Sequence, residues 1–208
     1  MAAETRQQLI DAATRAFAES GVHTASLVEI TRRAGQRNRG AVHYHFGGRD
    51  GLLVAVLEEQ APFLAQREGE LLAAAVAGPP DDIAAVVEAI VRPAAELAER
   101  GWRGRAYLSV VGELVEQDQD ALSEEVAAAL RRTGGYEVFA VLAERLPAMD
   151  YPLLAERFAL TAAFIIGSAA RRARAGERTS RPQLSTERFV ANLVSMAAAM
   201  LSAPTIDG

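Results

Sequence analysis

The sequence predicts an all-α protein of about nine helices, and three observations carry that prediction. Apolar residues recur at helical spacing along most of the chain, Ala and Leu dominate while aromatics make up only 6%, and no strand pair or repeat is found. Thr5–Ser20 reads as an amphipathic helix, with Leu9, Ile10, Ala13 and Phe17 on one face and Gly21 stopping it. Ser26 followed three residues later by Glu29 is a capping-box pattern that starts a second helix. Leu27, Ile30 and Ala34 share one face of it, and Gly35 ends it through the left-handed conformation open to glycine. Asn38 is placed to cap a third helix, on which Val42 and Phe46 face inward while Arg39, His43 and Tyr44 point elsewhere. Helix, glycine-containing turn and second helix make a helix-turn-helix, the unit that sets its second helix in the DNA major groove.

The remainder reads as helix after helix. Gly48–Ala77 is expected as a single helix with the stripe Leu53, Val56, Leu57, Leu64 and Leu71, closed by Gly78-Pro79-Pro80. Asp81 and Asp82 place negative charge at the start of the next, as the helix dipole favours, and Pro93 is positioned to kink it. Gly101–Gly104 is a loop, Arg105–Glu116 a shorter helix, and Ala121–Leu146 helical with a break at Gly134-Gly135. Pro147–Pro152 is a turn, Leu153–Ala175 a long helix, Gly176–Pro182 a polar loop, and the last helix spans about 185–202. Two domains are drawn: residues 1–47 as the helix-turn-helix module and residues 48–208 as a larger helical body.

Composition removes several kinds of chemistry. There is no cysteine, so disulfides, thiol nucleophiles and cysteine-ligated zinc are excluded. All 22 basic residues are arginine, which removes lysine Schiff bases and Walker-type phosphate loops. No G-x-S-x-G elbow or dinucleotide fingerprint occurs, so no catalytic residues, cofactor or metal are assigned. His43 and His45 have a ligand-like spacing, but residues two apart on a helix point about 200° away from each other and cannot share an ion.

The net charge of −5 argues at first against a nucleic-acid partner, but its distribution reverses that. Residues 1–50 carry seven arginines against five carboxylates, and the remainder fifteen against twenty-two. From Ile30 to Arg49 there are five arginines, two histidines and no carboxylate. A cationic module on an acidic body is the simplest account. The N-terminus opens directly onto an amphipathic helix, so no signal peptide is expected. Phe189–Ile206 runs uncharged for eighteen residues, but Asn192, Ser195, Ser202 and Pro204 make it a poor membrane span.

Over about residues 5–57 the sequence resembles the TetR family of bacterial transcriptional regulators. The residues that carry the resemblance are Ile10, Ala13, Phe17 and Gly21, then Thr24-Ala25-Ser26, Ile30 and Ala34-Gly35. The block Gly40-Ala41-Val42-His43-Tyr44-His45-Phe46 and Leu52-Leu53 complete it. The turn before the Gly-Ala pair is one residue longer than is usual in that family. Arg37, Asn38 and Arg39 therefore stay open as alternative base readers, arginine being matched to guanine and asparagine to adenine. The expected DNA-contacting set is Thr24, Ser26, Arg37, Asn38, Arg39, Gly40, Ala41, His43, Tyr44, His45 and Arg49. The resemblance implies a phosphate contact for Arg49, which opens the following helix.

A second site is expected in the body. Gln60 and Arg67 interrupt the apolar stripe of the connecting helix, either snorkelling to solvent or facing a cavity where they would anchor a polar or anionic effector. Phe63, Trp102, Tyr107, Phe139 and Phe164 are the aromatics placed to line it. Phe158–Ala170 and Phe189–Leu201 are each uncharged for thirteen residues, so both helices need cover on more than one face. The resemblance implies that they build a homodimer. The resulting expectation is a cytoplasmic, ligand-responsive transcriptional regulator, a repressor, that binds a pseudo-palindromic operator as a dimer. The competing class is an all-α binding or enzymatic protein whose basic N-terminal helices meet another partner.

Overall fold

The computed structural model describes residues 2–116, 121–132, 135–176 and 183–205. Eleven helices and no strand are found among them: α1 (Ala2–Ser20), α2 (Leu27–Arg33), α3 (Ala41–Phe46), α4 (Arg49–Glu58), α5 (Ala61–Ala77), α6 (Ile83–Glu99), α7 (Trp102–Val115), α8 (Glu124–Arg131), α9 (Gly135–Arg145), α10 (Tyr151–Gly176) and α11 (Thr186–Leu201). The all-α class is as expected, with two more helices than the sequence reading gave. The first comes from the connecting segment. Gly48–Ala77 is two helices, because the chain breaks at Glu59-Gln60 and restarts with Pro62 in the first turn of α5, where a missing N–H costs nothing. The second comes from 121–146, which divides into α8 and α9; Gly134 of the expected break lies outside the described residues, as do 177–182 of the expected polar loop. Gly101–Gly104 is no loop, since α7 starts at Trp102, and α6 runs through the buried Pro93.

Side-chain caps fix several starts. Ser26 Oγ accepts from the Glu29 N–H at 3.3 Å, Asp82 from Ala85 at 2.9 Å, and Ser185 from Arg188 at 3.4 Å. α1 packs on α2, α4 and α7; α6 is the central strut, touching α5, α7, α9, α10 and α11.

Burial divides into two cores. The first joins Leu9, Ile10 and Phe17 of α1, Ile30, Val42 and Leu52–Leu57 to Leu64, the end of α6, α7, Val126 and Ala129 of α8, and Ala169–Ala173 of α10. The second joins Leu72 and Ala75 of α5 to the start of α6, to α9, Ile165 and α11. The N-terminal helices therefore share a core with the body, and the boundary between the two cores runs across α5, α6 and α10. α10 is long and apolar enough over Tyr151–Ala175 to cross a membrane by length and composition, with 22% of its most apolar stretch buried. The sequence had drawn that check to Phe189–Ile206 instead.

Candidate nucleic-acid interface

In the helix-turn-helix the inward residues are fixed first. Ile30 and Val42 are buried, Leu27 and Phe46 pack against them, and the Arg6 guanidinium lies 5.2 Å from the Phe46 ring. Gly35 takes φ +71° and turns the chain after α2, while Gly47 takes φ +76° and closes α3 by donating its N–H to the His43 carbonyl. Asn38 does not cap α3. Its Oδ1 accepts from the Gly40 N–H at 2.9 Å, and Gly40 occupies the cap position, so Arg37, Asn38 and Arg39 lie in the turn ahead of the helix rather than on it.

The arginines separate by partner. Glu29 holds Arg32 at 2.7 Å and Arg33 at 3.0 Å, and Arg33 also reaches Glu19 of α1 at 2.7 Å. Hydrogen bonds from Arg32 and then Arg33 draw the Glu29 carboxyl down to about 2. Arg49 is likewise engaged: it donates to the carbonyls of Val22 at 2.5 Å and Ala25 at 2.8 Å, clamping the α1–α2 connection to α4. Arg37 and Arg39 are exposed, and among the described residues neither has an ion pair or a side-chain hydrogen bond. Beside them Tyr44 is 83% exposed, with its ring 4.9 Å from that of His45. His43 is exposed and sits 3.2 Å through Nδ1 from the Gly47 carbonyl. Ala41, expected at the surface, is buried with Val42. Thr24 bonds to the Ser20 carbonyl and Ser26 is spent on its cap, both remaining exposed. One exposed edge thus gathers two unpaired guanidiniums, an amide, an imidazole and a phenol, all able to meet phosphate and base edges.

Residues 9–56 match the model of bacterial regulatory proteins of the tetR family, and residues 88–200 match that of the tetracyclin repressor-like C-terminal domain. The chain belongs to the tetR family. Among curated tetR-type relatives, it is 52% identical over 56 residues to the HTH-type transcriptional regulator SrpR of Pseudomonas putida. That match covers 27% of this chain and 26% of SrpR, so the likeness spans about a quarter of the curated relative. Two solved structures share the whole fold. The transcriptional regulator FadR from Bacillus subtilis, in complex with stearoyl-CoA, has a TM-score of 0.58 at 16% identity, over 95% of this chain and 97% of that one. AibR, in complex with isovaleryl coenzyme A and operator DNA, has a TM-score of 0.54 at 16% identity, over 97% and 100%.

In the body of this tetR-family chain the seven residues proposed to line an effector cavity do not converge. Arg67 is turned outward and bound through two bonds to Glu96 (2.9 and 3.1 Å), with Glu70 at 3.0 Å. The expectation that it faces a cavity is corrected: it follows the edge-of-stripe reading, because α6 offers it a carboxylate. Phe63 lies under the Arg100 guanidinium at 4.2 Å, and Phe139 and Phe158 pack at 4.8 Å in the second core with Phe164. Trp102 takes Arg15 at 4.0 Å and Arg103 at 4.8 Å, and borders an open cleft of about 490 Å³ between α1 and α7. Gln60 and Tyr107 do meet, on a cavity of about 10 Å³. Sequence reasoning missed Glu68, the buried carboxyl of α5. The signal was present, since Glu68 falls four residues from both Leu64 and Leu72. Reading α4 and α5 as one helix displaced the stripe by a residue.

Proposed function

We propose that this protein is an operator-binding transcriptional regulator, a repressor, that acts as a homodimer and leaves DNA when a small molecule binds its body. The observation that carries the reading is the exposed edge made by Arg37, Asn38, Arg39, His43 and Tyr44, flanked by the half-buried Gly40 and His45, with Arg37 and Arg39 unpaired in an otherwise acidic chain. Residues 1–47 carry the DNA contacts, with Thr24 and Ser26 beside the phosphates and Arg49 acting as an internal clamp. Residues 48–208 receive the effector and the second subunit. The dimer forms through α10 and α11, whose apolar faces include Leu160 at 54% and Met196 at 47% exposure. Covering that apolar surface drives the association. Two recognition helices then enter half-sites about 34–36 Å apart. The regulator works in the cytoplasm, where the bacterial chromosome lies. AibR, a protein of the same fold crystallised with both isovaleryl coenzyme A and operator DNA, supports a two-ligand reading.

The test is titration of the protein onto DNA from its own promoter region at two salt concentrations. Each neutralised phosphate contributes about 0.9 to the log–log slope, so affinity falls steeply with salt. Arg37→Ala and Arg39→Ala discriminate between the candidate readers: the one that meets a base costs about 1–3 kcal/mol and relaxes preference at one position. Tyr44→Ala weakens all sequences alike. Absence of saturable, salt-sensitive binding overturns the proposal.

A further inference from the structure

α5 buries Leu64, Glu68, Leu72 and Ala75 along one face. Leu64 belongs to the first core, Leu72 and Ala75 to the second, so Glu68 stands where the two cores meet. It is 7% exposed, and its Oε2 has no hydrogen-bond partner. From α7, Tyr107 is 2% exposed, and its hydroxyl also lacks a partner. The two groups sense each other, because burial and then the Glu68 charge both push the Tyr107 hydroxyl upward. Tyr107 opens on the 10 Å³ cavity, about the room of one water, beside Ile10, Thr14 and Val56 and bordered by Glu59, Gln60 and the Asp11–Arg103 ion pair. A leucine at position 68 would pack this seam without leaving a polar atom unsatisfied. A carboxyl there costs stability unless it keeps its proton or meets a polar partner from outside the chain.

Which partner fits follows from charge. Among the described residues no guanidinium pairs with Glu68, and Arg67, one residue away, is committed to Glu96 and Glu70. A carboxylate or phosphate brought to this seam would meet Glu68, with Asp11 and Glu59 on the adjoining cavity, and the guanidinium lining that cavity, Arg103, is already bound to Asp11. A protonated nitrogen would give the carboxyl the charge-assisted bond it lacks, and the Tyr107 hydroxyl a second polar contact. The leucine and alanine lining requires the rest of the molecule to be apolar. We propose that Glu68 and Tyr107 are the polar anchors of the effector site, and that the effector is an apolar molecule carrying a basic nitrogen. This rests on the effector-release reading above. Its place explains how release works: a guest at the seam forces apart two cores, one of which contains α1–α4, and so displaces α3 relative to the body.

The test uses the full chain with four probes matched in chain length: decylamine, decanol, decanoate and decanoyl-CoA. Decylamine is expected to raise the Tm and to release a bound promoter fragment, and the other three to do neither. Glu68→Gln, close to isosteric, keeps DNA affinity and weakens decylamine binding about tenfold or more, with a smaller loss for Tyr107→Phe. Equal decylamine binding by wild type and both variants overturns the proposal, as does release by decanoate or decanoyl-CoA that Glu68→Gln leaves unchanged. If wild type fails to bind promoter DNA, the regulator reading fails. A decylamine-induced Tm rise that disappears in Glu68→Gln would still establish the site.

Discussion

Glu113 of α7 accepts the backbone N–H of Val22 with both carboxylate oxygens, at 2.9 and 3.1 Å. The carbonyl of the same residue is held by Arg49 from α4. The connection between α1 and α2 is thus gripped on one side by the body and on the other by the helix that follows α3. A second tie lies along α1, where Arg103 binds Asp11 through bonds of 2.9 and 2.6 Å. These polar contacts, together with the shared first core, make α1 the element through which the body positions the helix-turn-helix.

Glu113→Ala leaves the buried Val22 N–H without its acceptor. The expected loss is about 1–3 kcal/mol, the cost of an unpaired buried donor. For a chain of this size that lowers the Tm by several degrees, about 2–4 °C per kcal/mol. Thermal melts of wild type and variant measure it directly. An unchanged Tm would mean that water replaces the carboxylate and that the tie carries no stability.

Gly51 predicts a sharper effect on DNA. A Cβ built there falls 1.9 Å from the Phe46 carbonyl oxygen, so α4 and the end of α3 approach as backbones with no room between them. Gly51→Ala must push α3 away from α4. Overpacking of this kind costs about 1–3 kcal/mol or more. Promoter affinity is expected to fall with the helical circular dichroism of the body retained. Gly69→Ala is the control: nothing lies within 4 Å of its Cβ, and it replaces a glycine within α5. It should raise stability by about 0.5–1 kcal/mol. Wild-type affinity in Gly51→Ala would show that α3 can be displaced without consequence.

The helix-turn-helix was legible because its signals are local. The Ser26 cap, the left-handed Gly35, and the inward Ile30 and Val42 each depend on neighbours within a few residues. Asn38 misled because asparagine serves an Asx turn as readily as a helix cap, and here it chose the Gly40 N–H. The body was less legible for two reasons. Pro62 marked the start of α5, but the apolar spacing runs through Gln60 without a gap, so two helices read as one, Arg67 was left open between solvent and a cavity, and Glu68 passed unnoticed. The partners of Arg67 and Arg49 are tertiary: Glu96 lies 29 residues away, and the Val22 carbonyl 27. No periodicity within one helix reports them.

Glu68 also makes stability depend on pH in an unusual direction. Burial raises its carboxyl from 4.5 to about 8. The folded state therefore holds this proton more tightly than the unfolded chain does. Its contribution is fully present below about 4.5 and is lost as pH rises through about 8, because the unfolded chain ionises freely while the native one must either stay protonated or bury a charge. Each pKa unit corresponds to about 1.4 kcal/mol, so the full effect is on the order of a few kcal/mol. The Tm of wild type should fall between about pH 5 and about pH 9 relative to that of Glu68→Leu, which removes the titrating group and fills the seam with carbon. Taking the difference between the two proteins cancels every other titration common to both. The variant should be the more stable at alkaline pH, while losing any amine response. A wild type–variant difference that stays constant with pH would place Glu68 in contact with water, which would then be the partner its carboxyl otherwise lacks.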